Sequence, residues 1–369
     1  MKRVLFLTIL FASITFAQQT APPASGAAAI KPAANAKTAE EVYKNIVQLK
    51  GTPADQLQPA MQFISASLGV DCAFCHVQGN FAADDKAPKK TARAMMAMTA
   101  MINKEAFHGR QQITCESCHR GATHPVSTPP VLETDAEPKP ATPPPPAAGA
   151  TAPTADQILD KYIAAVGGAD AIRKVTSRQA KGVVIVNGTE TPIELFMKAP
   201  NLRLSISQNP SGGSFTAFDG SAGWMGSTGH AAREMSPAES WAAGIDAEFY
   251  LPLRLKEMFP QIRRGRRETV NGVECEVLLG TAEGRPPVRL DFDAKSGLLL
   301  RLVRYADTPM GRNATQIDYA DYRDSGGVKI PFRWTLSRAI ARFTIQLSEV
   351  KSNVEIDSAR FAKPSGDIK

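Results

Sequence analysis

Hydrophobic positions recur at helical spacing in the first part of the chain and at strand spacing in the rest. Between residues 38 and 106 apolar side chains return every three or four positions, the period that places them on one face of a helix. Three helices are predicted there: one from the capping box at Thr38 to Gly51, one over about 55–68 and one over about 87–106. This part of the chain is therefore expected to be all helical.

Short apolar or alternating runs follow between about 179 and 350, and turn residues separate them. A helix that opens at Thr154 and ends at Gly167-Gly168 precedes these runs, and a helical interruption is predicted near 247–259. We predict a strongly curved antiparallel sheet of about ten strands, a half-barrel, with a helix packed on its concave side. The runs are Val183–Val186, Ile193–Met197, Leu202–Ile206, Val273–Leu278, Val288–Phe292, Leu298–Val303 and Phe343–Val350, with hairpin signals at Asn187-Gly188 and Asn271-Gly272.

Composition marks the boundaries between these parts. Lys2 and Arg3 precede an apolar run too short to span a membrane, so residues 1–17 are predicted to be a cleaved signal peptide, with an uncleaved signal anchor as the alternative. Residues 18–37 are predicted to be a flexible tether and the Pro-rich residues 126–153 a semi-rigid linker. The predicted fold class is a multidomain α+β protein, with an all-α domain over 38–125 and an antiparallel β half-barrel domain over 154–369.

The charge of the chain is mildly positive. Loss of Lys2 and Arg3 with the signal peptide lowers the formal net charge from +7 to +5, which is not typical of a nucleic-acid-binding protein. The excess would suit docking to an acidic redox partner or to an anionic membrane surface, but it is more often an ordinary solvated face.

Two Cys-x-x-Cys-His sequences contain four of the five cysteines, at Cys72, Cys75 and His76 and again at Cys115, Cys118 and His119. On one helical turn, two thiols three residues apart can add to the two vinyl groups of one haem. The adjacent histidine is then the proximal ligand of the iron. The motifs therefore predict two covalently bound c-type haems.

Zinc and redox-dithiol alternatives fit this spacing less well. A zinc ribbon separates its cysteine pairs by about 15–20 residues, whereas 39 residues lie between Cys75 and Cys115. A thioredoxin-type dithiol needs a βαβ pattern, and it does not require a histidine after each pair.

The sixth iron ligand distinguishes electron transfer from catalysis, since an iron closed by methionine has no vacancy for a substrate. Each motif follows an apolar helix that carries methionine. Met61 precedes the first motif, and Met95 and Met98 share one helical face before the second. We predict Met61 as one ligand and either Met95 or Met98 as the other, with core packing as the alternative role of these side chains.

Residues 41–125 resemble the cytochrome c subunit of photosynthetic reaction centres. The resemblance lies in Leu68-Gly69-Val70, in both Cys-x-x-Cys-His motifs, in Ala92-Arg93-Ala94-Met95-Met96-Ala97-Met98-Thr99, in Ile102-Asn103 and in the Thr114 and Arg120-Gly121 flanks of the second motif. It implies that each haem lies along a helix whose methionine is an axial ligand, which maps onto Met61 and Met95. The family has four haems and this chain has the equivalent of one half, so binding to a reaction centre is not implied.

The same resemblance bears on His108, which lies near the place of a family histidine that ligates a haem of the missing half. We interpret His108 as a surface residue, with ligation as the alternative. His124 and His230 have no supporting partners in the sequence.

The second part of the chain resembles lipoprotein-sorting carriers of the LolA/LolB type, through its leading helix with Gly167-Gly168 and through segments such as Phe218-Asp219-Gly220 and Phe292–Gly297. Such a fold implies an apolar ligand, for which Trp224, Met225, Phe249 and Tyr250 are candidate lining residues; core packing also explains them. Cys275 lies in an alternating segment and is predicted to be a buried, small apolar residue.

These patterns predict an exported, periplasmic electron carrier without catalytic residues, whose partners are redox proteins, membrane-bound ones included, and not nucleic acid. A peroxidase-like haem enzyme with one open iron site is the first alternative. A carrier of lipid or another apolar ligand, with haems that sense redox state, is the second.

Overall fold

The computed structural model describes residues 37–125, 152–209, 212–228 and 230–363. The predicted signal peptide and nearly all of the predicted tether and linker lie outside these residues. The described part opens with five helices, which confirms the helical character predicted here. They are α1 (Ala39–Val42), α2 (Ala54–Leu68), α3 (Cys72–Cys75), α4 (Ala87–Phe107) and α5 (Cys115–His119).

The first helix is much shorter than predicted. The capping box at Thr38 forms, yet α1 ends at Val42 and Asn45 adopts a left-handed φ of 59°. The Asn45 side-chain amide donates to Ala82 O at 2.6 Å, and the Asn45 carbonyl accepts from Arg93 at 3.0 Å. These long-range hydrogen bonds outweigh the apolar spacing of the segment, so the helix predicted over 43–50 is wrong.

The next two predicted helices are confirmed as α2 and α4. Gly69 ends α2 in the left-handed conformation, with a φ of 67°, as the sequence indicated. The helix predicted from Thr154 is also confirmed. It is α6 (Ala155–Ala165), and a short unpredicted helix, α7 (Ala169–Lys174), follows it.

A single antiparallel sheet occupies the rest of the described part, which confirms the predicted α+β fold class. It is curved and open and contains fourteen strands among the described residues, not ten. The strands are β1 (Ser177–Val186), β2 (Thr189–Lys198), β3 (Leu202–Asn209), β4 (Gly212–Phe218), β5 (Gly223–Ser227), β6 (His230–Glu234), β7 (Gln261–Arg264), β8 (Glu268–Val270), β9 (Val273–Thr281), β10 (Val288–Asp293), β11 (Leu299–Thr308), β12 (Gly311–Asp324), β13 (Lys329–Arg338) and β14 (Ala341–Ser352).

The strand order is β6-β5-β4-β3-β2-β1-β14-β13-β12-β11-β10-β9-β7, and β8 pairs with β9. Pairing of β1 with β14 joins the first strand to the last in the middle of the sheet. Each apolar run predicted as a strand lies in one. Among the strands that sequence reasoning missed, β6 is a short edge strand, and β12 has many exposed polar residues and lacks an apolar run.

Helices cover one face of the sheet. The helical interruption predicted near 247–259 consists of two helices, α8 (Pro237–Ala247) and α9 (Leu251–Met258), because a capping box at Ser236 and Glu239 starts helix formation earlier. Helices α6, α8 and α9 share one hydrophobic core with strands β9 to β13. Within this core the Tyr162 and Phe292 rings lie 5.1 Å apart.

The turn between β11 and β12 reaches the N-terminal helices. Met310 at its tip is buried and packs with Leu49, Ala60 and Ile64 of the helical part. Gln111 donates to Pro309 O at 2.7 Å, and Asn313 donates to Pro59 O at 3.1 Å. This turn therefore places the sheet against α2 and against the segment that precedes the second motif. No helix of the described part has both the length and the apolar character required to cross a bilayer.

Candidate haem site

The first Cys-x-x-Cys-His motif forms one helical turn, α3. The Asp71 carboxylate caps this turn by accepting a hydrogen bond from Phe74 N at 3.0 Å. Cys72 is exposed and Cys75 is half-buried, with burial raising the pKa of the Cys75 thiol. Since residues three apart lie on one side of a helix, both thiols can reach one ligand.

The second motif repeats this arrangement in α5. The Thr114 N–H donates to Ser117 Oγ at 3.1 Å as part of a capping box. Cys115 is half-buried, burial raises the pKa of its thiol, and Cys118 is exposed. Asn103 of α4 positions the approach to this helix, because its side-chain oxygen accepts from Gln112 N and Ile113 N at 2.9 Å each.

Both motif histidines make the same hydrogen bond. His76 Nδ1 lies 2.9 Å from Phe81 O, and His119 Nδ1 lies 2.9 Å from Ala122 O. A carbonyl oxygen can only accept, so Nδ1 must carry the proton in both rings. The lone pair of each neutral ring is then on Nε2, which is the arrangement of a metal-ligating histidine held by a backbone carbonyl.

The two motifs are joined through the end of α2. Gly121, which follows the second motif after Arg120, donates from its backbone N–H to Ser67 O at 2.8 Å. A Cβ atom on Gly69 would lie 2.2 Å from Gly121 O, so the turn before the first motif and the turn after the second are in direct contact.

The predicted methionine ligands lie on the predicted helices. Met61 on α2 is half-buried against the apolar cluster that contains Met310, and the half-buried Cys115 packs on the same cluster. Met95 on α4 is half-buried and Met98 is 39% exposed. Met96, between them in the sequence, packs on the Met310 cluster.

A charged network that sequence reasoning missed holds the loop between α3 and α4. Lys89 is buried and donates to the carbonyls of Phe81, Ala82 and Ala83 at 3.0, 3.0 and 2.7 Å. Asp84 pairs with Lys89 at 3.1 Å and with Arg93 at 2.9 Å, and the Arg93 guanidinium holds the pKa of Asp84 well below its usual range. The sequence offered one indication of this network: Arg93 lies in the segment that resembles the reaction-centre cytochrome, residues 92–99.

The helical part has the surface that a large apolar group requires. Among the described residues of 37–125, four apolar residues are buried, Ala39, Leu49, Ala60 and Ile64, whereas two large apolar side chains at the first motif, Phe74 and Phe81, are exposed. Together with the two thiol pairs and the two ligand-ready imidazoles, this surface fits covalently attached haem.

Comparison with known proteins agrees with this chemistry. Residues 11–147 match the family model of the photosynthetic reaction centre cytochrome c subunit. The corresponding subunit of Thermochromatium tepidum is 33% identical over 87 residues, which are 22% of each chain. Cytochrome c-554 of Chloroflexus aurantiacus is 32% identical over 84 residues, which are 21% of this chain and 20% of that one. The chain thus spans about a fifth of the length of the curated relatives it matches, and its resemblance to this family is confirmed.

Solved structures similar to this chain match its β-sheet part. A DUF1329 family protein from Desulfovibrio piger covers 56% of this chain and 96% of its own length, with 13% identity and a TM-score of 0.40. A LolA superfamily protein from Nitrosomonas europaea covers 57% of this chain and 99% of its own, with 15% identity and a TM-score of 0.39.

The residues predicted to line an apolar site lie in packed clusters of the sheet. Trp224 is buried beside Phe196 and Phe361, and Phe249 is buried with Arg178 stacked on its ring at 4.6 Å. Met225 and Tyr250 are half-buried.

The remaining cysteine and histidines lie apart from the two motifs. Cys275 is fully buried, as predicted, and burial raises the pKa of its thiol to about 11. His108, His124 and His230 are exposed.

Proposed function

We propose that this chain is an exported c-type cytochrome that carries two covalent haems and passes single electrons between redox partners. One haem is attached at Cys72 and Cys75, the other at Cys115 and Cys118. The observation that supports this assignment is the paired hydrogen bond of the two motif histidines, which leaves Nε2 of each ring available to iron.

The residues of the chain have distinct roles in this proposal. Each haem, when bound, supplies a one-electron Fe(II)/Fe(III) couple. His76 and His119 bind the iron through Nε2, and their backbone partners fix the ring orientation and the tautomer. Met61 and Met95 are the proposed second ligands, and their soft, neutral sulfur favours Fe(II) over Fe(III). A closed sixth position supports an electron carrier rather than an enzyme.

Haem counting tests the attachment sites. We expect a pyridine haemochrome assay on protein made with active cytochrome maturation to give two haems per chain. Cys72→Ala combined with Cys75→Ala should leave one, and Cys275→Ala, remote from both motifs, should leave two. A colourless wild-type chain, or one that contains zinc, would contradict the proposal.

Substitution of the methionines separates the carrier from a peroxidase-like enzyme. Met61→Ala and Met95→Ala should each remove the low-spin signature of one iron. The control is Met101→Ala, at an exposed residue of α4, the helix that also carries Met95. Met98→Ala tests the alternative ligand in the same way. If one iron is already high-spin in the wild-type protein and the substitution leaves its visible spectrum unchanged, the sixth position is open. That result would favour the peroxidase-like enzyme.

The boundaries and the cellular location belong to this proposal as well. We assign the haem domain to 38–125 and the β domain to 154–369, and we place the protein in the periplasm after removal of residues 1–17. N-terminal sequencing of protein from the periplasmic fraction tests the last two points. Lipid extraction of the purified holoprotein tests the alternative of an apolar-ligand carrier.

A further inference from the structure

One backbone carbonyl in the first motif loop serves two donors. Phe81 O accepts from His76 Nδ1 at 2.9 Å and from the Lys89 ammonium at 3.0 Å. The hydrogen bond that holds the proposed iron ligand is therefore shared with a full positive charge.

Lys89 is built into the structure and is not a surface side chain that happens to approach the loop. It is 8% exposed, and its ammonium also donates to Ala82 O and Ala83 O. A buried lysine requires this degree of hydrogen bonding and a counter-charge to remain ionised. Asp84, 3.1 Å from the ammonium, supplies that charge and is itself held by Arg93.

The second motif lacks such a charge. His119 donates to Ala122 O at 2.9 Å, and within the described ranges no lysine or arginine donates to that carbonyl. The two motif histidines thus differ in what their backbone partner contacts: a lysine ammonium donates to the carbonyl behind His76, and among the described residues none donates to the carbonyl behind His119.

We infer that Lys89 is a positioning residue that raises the reduction potential of the haem ligated by His76. This inference rests on the proposed function. Electron density drawn from Phe81 O by the ammonium weakens its bond to Nδ1–H, so the imidazole donates less strongly and stabilises Fe(III) less. The positive charge itself also disfavours Fe(III). Both effects have the same sign, and the axial ligand's hydrogen bonding is an established means of tuning haem potential.

Potentiometric titration of the whole haem-loaded protein tests the inference. Lys89→Met retains the length of the side chain and removes its charge. We expect one of the two one-electron midpoints to fall by about 30 mV, a threefold change in the reduction equilibrium at 59 mV per tenfold change. Asp84→Asn removes the opposing charge and should raise the same midpoint.

Conservative variants and neighbouring residues are the controls. Lys89→Arg keeps the charge and should keep the midpoint near its original value even if loop packing is perturbed. Lys90→Met and Asp85→Asn change exposed residues next to the network and should leave both midpoints unchanged.

Opposite shifts in Lys89→Met and Asp84→Asn, confined to one midpoint, would establish the role of Lys89. Two haems per chain with both midpoints unchanged, or with the same fall in both variants, would overturn this inference and leave the proposed function intact. A wild-type chain without haem would overturn both.

Discussion

Gly69 illustrates how one residue determines the contact between the two motifs. Its φ of 67° favours glycine, and its missing side chain allows Gly121 O to approach. Gly109 has a similar φ of 77°, but a Cβ there would meet nothing within 4 Å. A comparison of the two glycines therefore distinguishes the cost of the left-handed backbone conformation from the cost of the steric contact with Gly121 O.

Gly69→Ala should destabilise the protein more than Gly109→Ala. A non-glycine residue in the left-handed region costs about 1–3 kcal/mol at either position. The overlap with Gly121 O should add about 1–3 kcal/mol at Gly69 alone, as overpacking does. Guanidinium unfolding followed in the visible spectrum measures the difference; equal losses in the two variants would contradict the contact.

A thiol count gives a second test at the scale of single residues. Four of the five cysteines are assigned to thioether bonds, and Cys275 is fully buried with a pKa raised to about 11. Because the thiolate is the reactive form, native holoprotein should release no colour from Ellman's reagent at pH 8. After unfolding in guanidinium one thiol per chain should react. A count of three would indicate one haem, and a count of five none.

At the scale of elements, the β11–β12 turn packs the sheet against α2. Thr308 Oγ1 donates to Gly311 O at 2.7 Å and accepts from Met310 N at 3.2 Å, so the tip is held rigid from within. A Cβ on Gly311 would lie 2.3 Å from the Phe63 ring. The turn is therefore shaped to fit α2.

Met310→Ala should lower the free energy of unfolding by about 2–5 kcal/mol, the usual loss for a buried methionine. Because Met310 packs beside Met61 and Cys115, the visible spectrum of the holoprotein should also change. Met101→Ala, at a residue 59% exposed, should change stability by less than about 0.5 kcal/mol. A loss of stability without a spectral change would show that the turn acts on the sheet alone.

At the scale of the whole molecule, buried apolar residues are distributed unequally between the helical part and the sheet part. Among the described residues, four apolar residues are buried in 37–125 and forty in 152–363. The sheet part can form its core without a cofactor, and we expect the helical part to depend on the haem proposed to cover its exposed apolar side chains.

Limited proteolysis should detect this difference in apolar burial between the helical part and the sheet part. In full-length protein made without cytochrome maturation, we expect cleavage throughout 38–125 and protection of 154–363. In the haem-loaded protein both parts should be protected, with cleavage confined to the segment between them. Mass spectrometry of the fragments identifies the sites, and resistance of the helical part without haem would contradict this dependence.

The sequence alone determined the features that depend on local spacing. The two Cys-x-x-Cys-His motifs, helices α2 and α4 and the apolar strands could be predicted, because thiol spacing and hydrophobic period are properties of neighbouring residues. It could not predict the end of α1, since Asn45 is held by Arg93, which is 48 positions away.

Only the tertiary structure decided which groups lie behind the motif histidines. Phe81 O and Ala122 O are backbone atoms, so no side chain in the sequence marks them, and their direction depends on how each loop closes. The sharing of Phe81 O with Lys89 depends on how the loop between α3 and α4 closes, and the contact of Met310 with α2 joins segments that are far apart in the chain. The motifs in the sequence determine which side chains can bind a cofactor. The hydrogen bonds and the burial of those side chains depend on the folded chain, because contacts formed in three dimensions set them and residue spacing does not.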